Sequence, residues 1–160
     1  MIRIIILIIF LVMINIILDK KSKNNNLDKN INYLMYYTNK KIMTETEKNF
    51  YIELKKITDN LNMSIFPQID LERLIKVKDN NYSYRNRIKS RSIDFTIVNN
   101  NNYNVVCCIE LDDKTHNKES RIKRDEFINE LFKNVNINLI RVKVGNYDFD
   151  MIKNKIKEAM

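Results

Sequence analysis

Residues 92–112 read SIDFTIVNNNNYNVVCCIELD, two apolar runs separated by a stretch of asparagines. The first run alternates. Ile93, Phe95 and Ile97 fall on one face of an extended chain, and Asp94, Thr96 and Val98 on the other. Asn99–Asn102 carry a turn signal. The second run, Tyr103–Leu111, is nearly continuous in apolar residues, as expected of a central strand covered on both faces. Together they predict an antiparallel hairpin. If Val98 pairs with Val106, Asp94 falls opposite Glu110, with β-carbons about 5 Å apart.

A carboxylate beside a buried strand is costly unless it is paired or bound to a cation. Two such acids repel each other, and Mg2+ or Mn2+ between them relieves the repulsion. Asp112 lies two residues beyond Glu110, on the same face if the strand continues, and His116 follows shortly after. Asp94, Glu110, Asp112 and His116 therefore form a candidate divalent-metal site for hydrolysis, able to orient a water and steady phosphoryl oxygens. The alternative is a structural acid pair closed by Arg124 or Arg141.

The flanking segments extend the pattern. Thr44-Glu45-Thr46-Glu47 fits a capping box, followed by Phe50, Leu54, Ile57 and Leu61 at helical spacing. Met63–Ile69 contains the only proline, Pro67, and reads as an edge strand. Asp70–Arg91 reads as a short helix over Leu71–Val77 and then a loop. Glu119–Val135 reads as a helix, with Ile128, Leu131, Phe132 and Val135 on one face. A strand over Asn138–Val144, a turn at Gly145-Asn146 and a last helix over Asp148–Ala159 complete the chain. The order αβββαβα predicts an α/β three-layer sandwich over residues 44–160, its last strand returning parallel by a right-handed crossover.

Charge points to polyanions. The net charge is +8 and the isoelectric point about 9.4, a balance that favours nucleic acid or anionic lipid. Arg73, Lys76, Lys78, Arg85, Arg87, Lys89 and Arg91 stand against a single acid, Asp79, and interleave with Tyr82 and Tyr84. Phosphate contacts plus stacking fit that composition; a solvated loop is the alternative. Cys107 and Cys108 are strand neighbours pointing to opposite faces, so they are expected unpaired, as buried thiols in a reducing compartment.

Residues 2–18 are apolar except for Arg3 and Asn15. As a helix they span roughly 25 Å, slightly short of the ~30 Å hydrocarbon core. A secretory signal would need a small-residue cleavage site, but Leu18 is followed by Asp-Lys-Lys-Ser-Lys. The expectation is an uncleaved transmembrane anchor over 1–19. Lys20, Lys21 and Lys23 would hold the C-terminal domain on the cytoplasmic side, through a basic polar linker over 20–43.

Thr46-Glu47-Lys48-Asn49-Phe50-Tyr51, Phe66-Pro67-Gln68-Ile69, Ile93-Asp94-Phe95, Ile109-Glu110-Leu111-Asp112-Asp113-Lys114-Thr115-His116, Arg124-Asp125 and Leu139-Ile140-Arg141-Val142 occur in one order. In that order they resemble a bacterial family, the domain of unknown function 2726. The family is similar to the very-short-patch repair endonucleases of the PD-(D/E)xK nuclease superfamily. The resemblance implies a restriction-endonuclease-like fold with an αβββαβ core. It implies Asp94 and Glu110 as metal ligands, with the backbone carbonyl of Leu111 beside them. Glu47 would be an accessory acid and Gln68 a positioning group at the rim; Asp125 and Arg141 fall within the matching segments. The superfamily's lysine, two residues after the glutamate, is absent. Asp112 stands there, and Lys114 or His116 would take its role. The resulting expectation is a membrane-tethered, Mg2+- or Mn2+-dependent nuclease-like domain hydrolysing phosphodiester bonds in DNA or another nucleic acid. The alternative is a catalytically inactive module of the same fold that binds nucleic acid or protein at the membrane.

Overall fold

A computed structural model describes residues 2–112 and 119–160, with residues 2–4, 7, 24–32, 80 and 119–121 described by backbone alone. The chain forms two compact units, residues 1–40 and 41–160. In the first, α1 (Ile2–Asn32) is followed by a 3-10 turn over Tyr33–Tyr36. Ile5, Ile9, Phe10 and Ile17 are each more than half exposed on it. No described helix is long and apolar enough to cross a membrane, so the transmembrane anchor expected over 1–19 is not supported. The apolar run stops at Leu18, while the same helix continues through Asp19, Lys20, Lys21 and Lys23. The apolar part is therefore about 25 Å against a ~30 Å hydrocarbon core. Residues 20–32, expected as part of a linker, are helical as well, because that stretch holds neither Gly nor Pro to stop the helix.

In the second unit, α2 (Glu45–Asp59) opens with the predicted box. The Thr44 hydroxyl accepts from Glu47 N, and the Glu47 carboxylate accepts from Thr44 N. Then follow β1 (Met63–Asp70), α3 (Leu71–Leu74), α4 (Tyr82–Ile88), β2 (Ser92–Asn99), β3 (Val105–Asp112), α5 (Glu119–Asn134), β4 (Asn138–Lys143) and α6 (Phe149–Glu158). The expected loop before Arg91 contains α4 instead. Asn81 caps it by accepting from Ser83 N and Tyr84 N, and Ile88 anchors it in the core beside Leu71 and Ile75. The short helix expected over Leu71–Val77 ends at Leu74, where Ile75 turns extended.

The strands form one mixed sheet in the order β1-β2-β3-β4. β1 and β3 both run antiparallel to β2, and β4 runs parallel to β3 across the α5 connection. Pro67 sits in the edge strand, where its missing N–H is tolerated. Near the turn the hairpin departs from the expected register. Val98 pairs with Val105, not Val106, because an irregularity between Ile97 and Val98 shifts the ladder. Below it, Ile97 faces Cys107 and Phe95 faces Ile109, the register that sets Asp94 beside Glu110.

Helices cover both faces. Phe50 and Leu54 of α2 and Ile152 and Ile156 of α6 pack on Phe95, Ile97, Cys107 and Ile109. Leu71, Ile75, Ile88, Ile128 and Phe132 pack with Ile93 and Cys108. The cysteines thus enter opposite layers, unbonded and buried, and burial pushes each thiol up to about 12. Phe50 is the aromatic hub of its layer, with ring centroids 5.5 Å from Phe95, 5.0 Å from Tyr147 and 5.5 Å from Phe149. Phe50→Ala should cost about 3–5 kcal/mol, while Ile52→Ala on the exposed face of α2 should cost under about 1 kcal/mol. Urea unfolding of the two variants checks this; equal costs would contradict the packing.

Candidate functional site

The hairpin register carries Asp94 and Glu110 to the same end of the sheet, and the neighbouring elements fix their orientation. Asp94 Oδ2 accepts from Leu111 N at 2.8 Å and Oδ1 from Gln68 Nε2 at 3.3 Å. The same Gln68 amide nitrogen donates to Glu47 Oε1 at 2.9 Å, and Gln68 Oε1 accepts from the Ser92 hydroxyl at 3.1 Å. Gln68 adopts φ +52, the left-handed region. For a side-chain-bearing residue this costs on the order of 1–3 kcal/mol. The strained residue is also the one whose amide joins Glu47 on α2 to Asp94 on β2. The other carboxylate oxygen of Glu47 closes the α2 cap, so the helix start and the acid site share one side chain.

Glu110 is less well provided for. Its Oε2 is buried and finds no hydrogen-bond partner among the described residues. Burial first, and then the charge of Asp94, push its carboxyl up to about 7, although the Asp94 backbone N–H and then Arg141 pull the other way. Burial raises Asp94 too. The Leu111 N–H opposes that rise, and the charge of Glu47 adds to it. Two carboxyls that burial holds towards the protonated form, one with an orphaned oxygen, suit a hard divalent ion that keeps water on its remaining positions. The residues present therefore fit Mg2+ or Mn2+ as a two-carboxylate site. Among the described residues no group of three or more His, Cys, Asp or Glu is placed to hold a metal ion.

Asp112 lies at the end of β3 but is engaged elsewhere. It accepts from Arg141 Nη1 at 2.7 Å, while Arg141 Nε donates to Asn129 at 2.9 Å and Nη2 lies 3.6 Å from Asp125. Arg124 lies 3.6 Å from Asp125 as well. Arg141 thus ties Asp112 to α5 instead of sealing the Asp94–Glu110 pair. Lys114 and His116 lie outside the described residues.

The basic segment divides. Arg73, Lys76, Lys78 and Lys89 are exposed. Arg85 is drawn into a 2.6 Å ion pair with Glu72. Arg87 lies 4.4 Å over the Phe127 ring and Arg91 lies 5.6 Å from it. Arg91 is half-buried and reaches the cavity that Glu110 lines. Glu72, next to the segment's first arginine, was readable as its counter-charge. Phe127 was not, since its place beside α4 depends on how α5 docks.

These shifts fix a pH dependence. A carboxyl raised in the folded state favours folding below its unfolded pKa, and that advantage is lost as pH rises through the folded value. Metal-free protein should therefore lose stability between about pH 4.5 and 7, by an amount on the order of 3 kcal/mol for Glu110. Glu110→Gln should flatten the melting-temperature profile across that window. A variant profile parallel to wild type would contradict the assignment.

No curated protein and no solved structure matches the chain. Residues 39–160 match the family described as "Protein of unknown function (DUF2726)", and with three quarters of its length inside that match, the chain belongs to this family.

Proposed function

We propose that residues 41–160 form a restriction-endonuclease-like, divalent-metal-dependent nuclease domain that hydrolyses phosphodiester bonds in DNA or another nucleic acid. One observation carries the reading: Asp94 and Glu110 stand together at the sheet end, both raised by burial, with Glu110 Oε2 unpartnered among the described residues. They would hold Mg2+ or Mn2+, with the Leu111 carbonyl as a further candidate. When bound, such an ion supplies Lewis acidity toward water and phosphoryl oxygens. The protein contributes orientation. Gln68 and the Leu111 N–H hold both oxygens of Asp94, and Glu47 in turn holds Gln68. Without metal, burial and the charge of Asp94 push the Glu110 carboxyl up to about 7, so an ion binding there near neutrality would displace a proton. Exposed Lys76, Lys78, Arg87 and Lys89 offer phosphate contacts, which supply affinity without reading sequence.

A second reading has its own support. Asp112 stands where the nuclease superfamily carries its lysine, and it is already bonded to Arg141. The position that would place a cation on the scissile phosphate instead holds an acid. This favours an inactive module of the same fold that binds nucleic acid.

Incubation of the full chain with plasmid DNA separates the two. The nuclease reading expects cleavage with Mn2+ or Mg2+, none with chelator, and a loss of about 100-fold or more in Asp94→Asn, the scale of one lost transition-state charge contact. Metal-independent cleavage, or cleavage unchanged in Asp94→Asn, would contradict it. DNA binding without cleavage would establish the inactive module.

A further inference from the structure

Beside Glu110 lies a cavity of about 220 Å3 framed by Ser90, Arg91, Ser92, Arg124 and Arg141, with Asp125 at its wall. Three guanidiniums from three different elements converge there: one from the approach to β2, one from α5 and one from β4. The carboxyls on its lining are Glu110 and Asp125, and Asp125 is shared at 3.6 Å between Arg124 and Arg141. Guanidinium therefore outnumbers carboxylate.

The arginines are not equally engaged. Arg141 is fixed on Asn129, Asp112 and Asp125 and serves as a rigid wall. Among the described residues Arg124 has the long contact to Asp125 alone, and it is about half exposed, at 48%. Arg91 is braced against Phe127, yet its Nη1 is buried without a hydrogen-bond partner among the described residues. A buried guanidinium nitrogen with nothing to donate to carries a desolvation cost that an anion would remove. The Ser90 hydroxyl adds a neutral donor to the lining, whereas the Ser92 hydroxyl already donates its proton to Gln68 Oε1. A planar fork that binds oxyanions bidentately, repeated three times around a small cavity, is the chemistry of phosphate recognition.

We propose that this cavity is a phosphate subsite, with Arg91 and Arg124 as its direct donors and Arg141 as the positioning residue that holds its wall. The proposal rests on the nuclease reading only for the carrier of the phosphate, a nucleic-acid strand whose phosphate lies next to Glu110. The subsite's charge and geometry require no metal.

The test is calorimetric titration of the full chain with inorganic phosphate in chelator, for wild type, Arg91→Gln and Arg124→Gln. Wild type should bind, and each variant should weaken binding by roughly tenfold or more, the scale of a lost charge-assisted hydrogen bond. Arg124 is half exposed, so its variant keeps the fold even if removal of Arg91 perturbs packing; circular dichroism checks both. Absence of phosphate binding by wild type, or equal affinity in wild type and Arg124→Gln, overturns the subsite. The source of the phosphate follows from competition. Displacement of a labelled DNA oligonucleotide by inorganic phosphate in wild type, lost in Arg124→Gln, supports a nucleic-acid phosphate. Phosphate binding without displacement overturns that carrier and assigns the cavity to a free phosphate or small phosphate ester. Because the titration omits metal, its failure is distinct from loss of Mn2+-dependent cleavage in Asp94→Asn, which tests the metal site.

Discussion

Two carboxyl groups held side by side at the end of a buried hairpin set the terms for the rest of this domain. Asp94 and Glu110 are brought together by backbone register, so the chain cannot separate them without slipping a strand and turning Phe95, Ile97 and Ile109 out of the core. What remains adjustable is their partners. Asp94 receives two, Leu111 N and the Gln68 amide. Glu110 keeps one buried oxygen without any among the described residues. The imbalance is physical: an acid pair with too few donors must share a proton or hold a cation. The rise of Glu110 to about 7 expresses the first outcome, and the metal proposal rests on the second.

The neighbouring polar network follows from that constraint. Gln68 is in a strained backbone conformation and links Glu47 to Asp94, while Glu47 closes the cap of α2. Moving Asp94 therefore disturbs β1 and the start of α2, the helix that carries Phe50 into the core. On the other side, Arg141 anchors Asp112 to α5 and leaves Arg91 and Arg124 to face the cavity beside Glu110. Acid pair and arginine cavity are adjacent, as negative phosphate and positive metal would be in a phosphodiester site.

Much of this was legible in the residues. Alternation in Ile93–Val98 and the continuous run to Leu111 gave the hairpin, and Thr44-x-x-Glu47 gave the helix start, because both signals are local. The acid pair was legible because period-two geometry converts sequence spacing into a shared face. The shift at Val98 was not, since an irregularity in pairing leaves no mark in composition. α4 was hidden because charged residues and tyrosines obscure a helix whose only buried contact is Ile88. The convergence of Arg91, Arg124 and Arg141 was beyond reach for a different reason. It requires knowing how the end of α4, the start of α5 and β4 meet in space. The apolar N-terminus gave its helix, but the transmembrane reading finds no support, since no described helix is long and apolar enough to cross a membrane.

If a divalent cation completes the Asp94–Glu110 pair, as proposed, the metal must stabilise the folded domain. The direct measurement is the melting temperature of the full chain at neutral pH against Mn2+ concentration, for wild type and Asp94→Asn. Binding to the folded state alone predicts a rise that keeps growing with the logarithm of metal concentration once the site is saturated, and no such rise in Asp94→Asn. A wild-type melting temperature unmoved at millimolar Mn2+, or a rise that survives Asp94→Asn undiminished, would contradict the account.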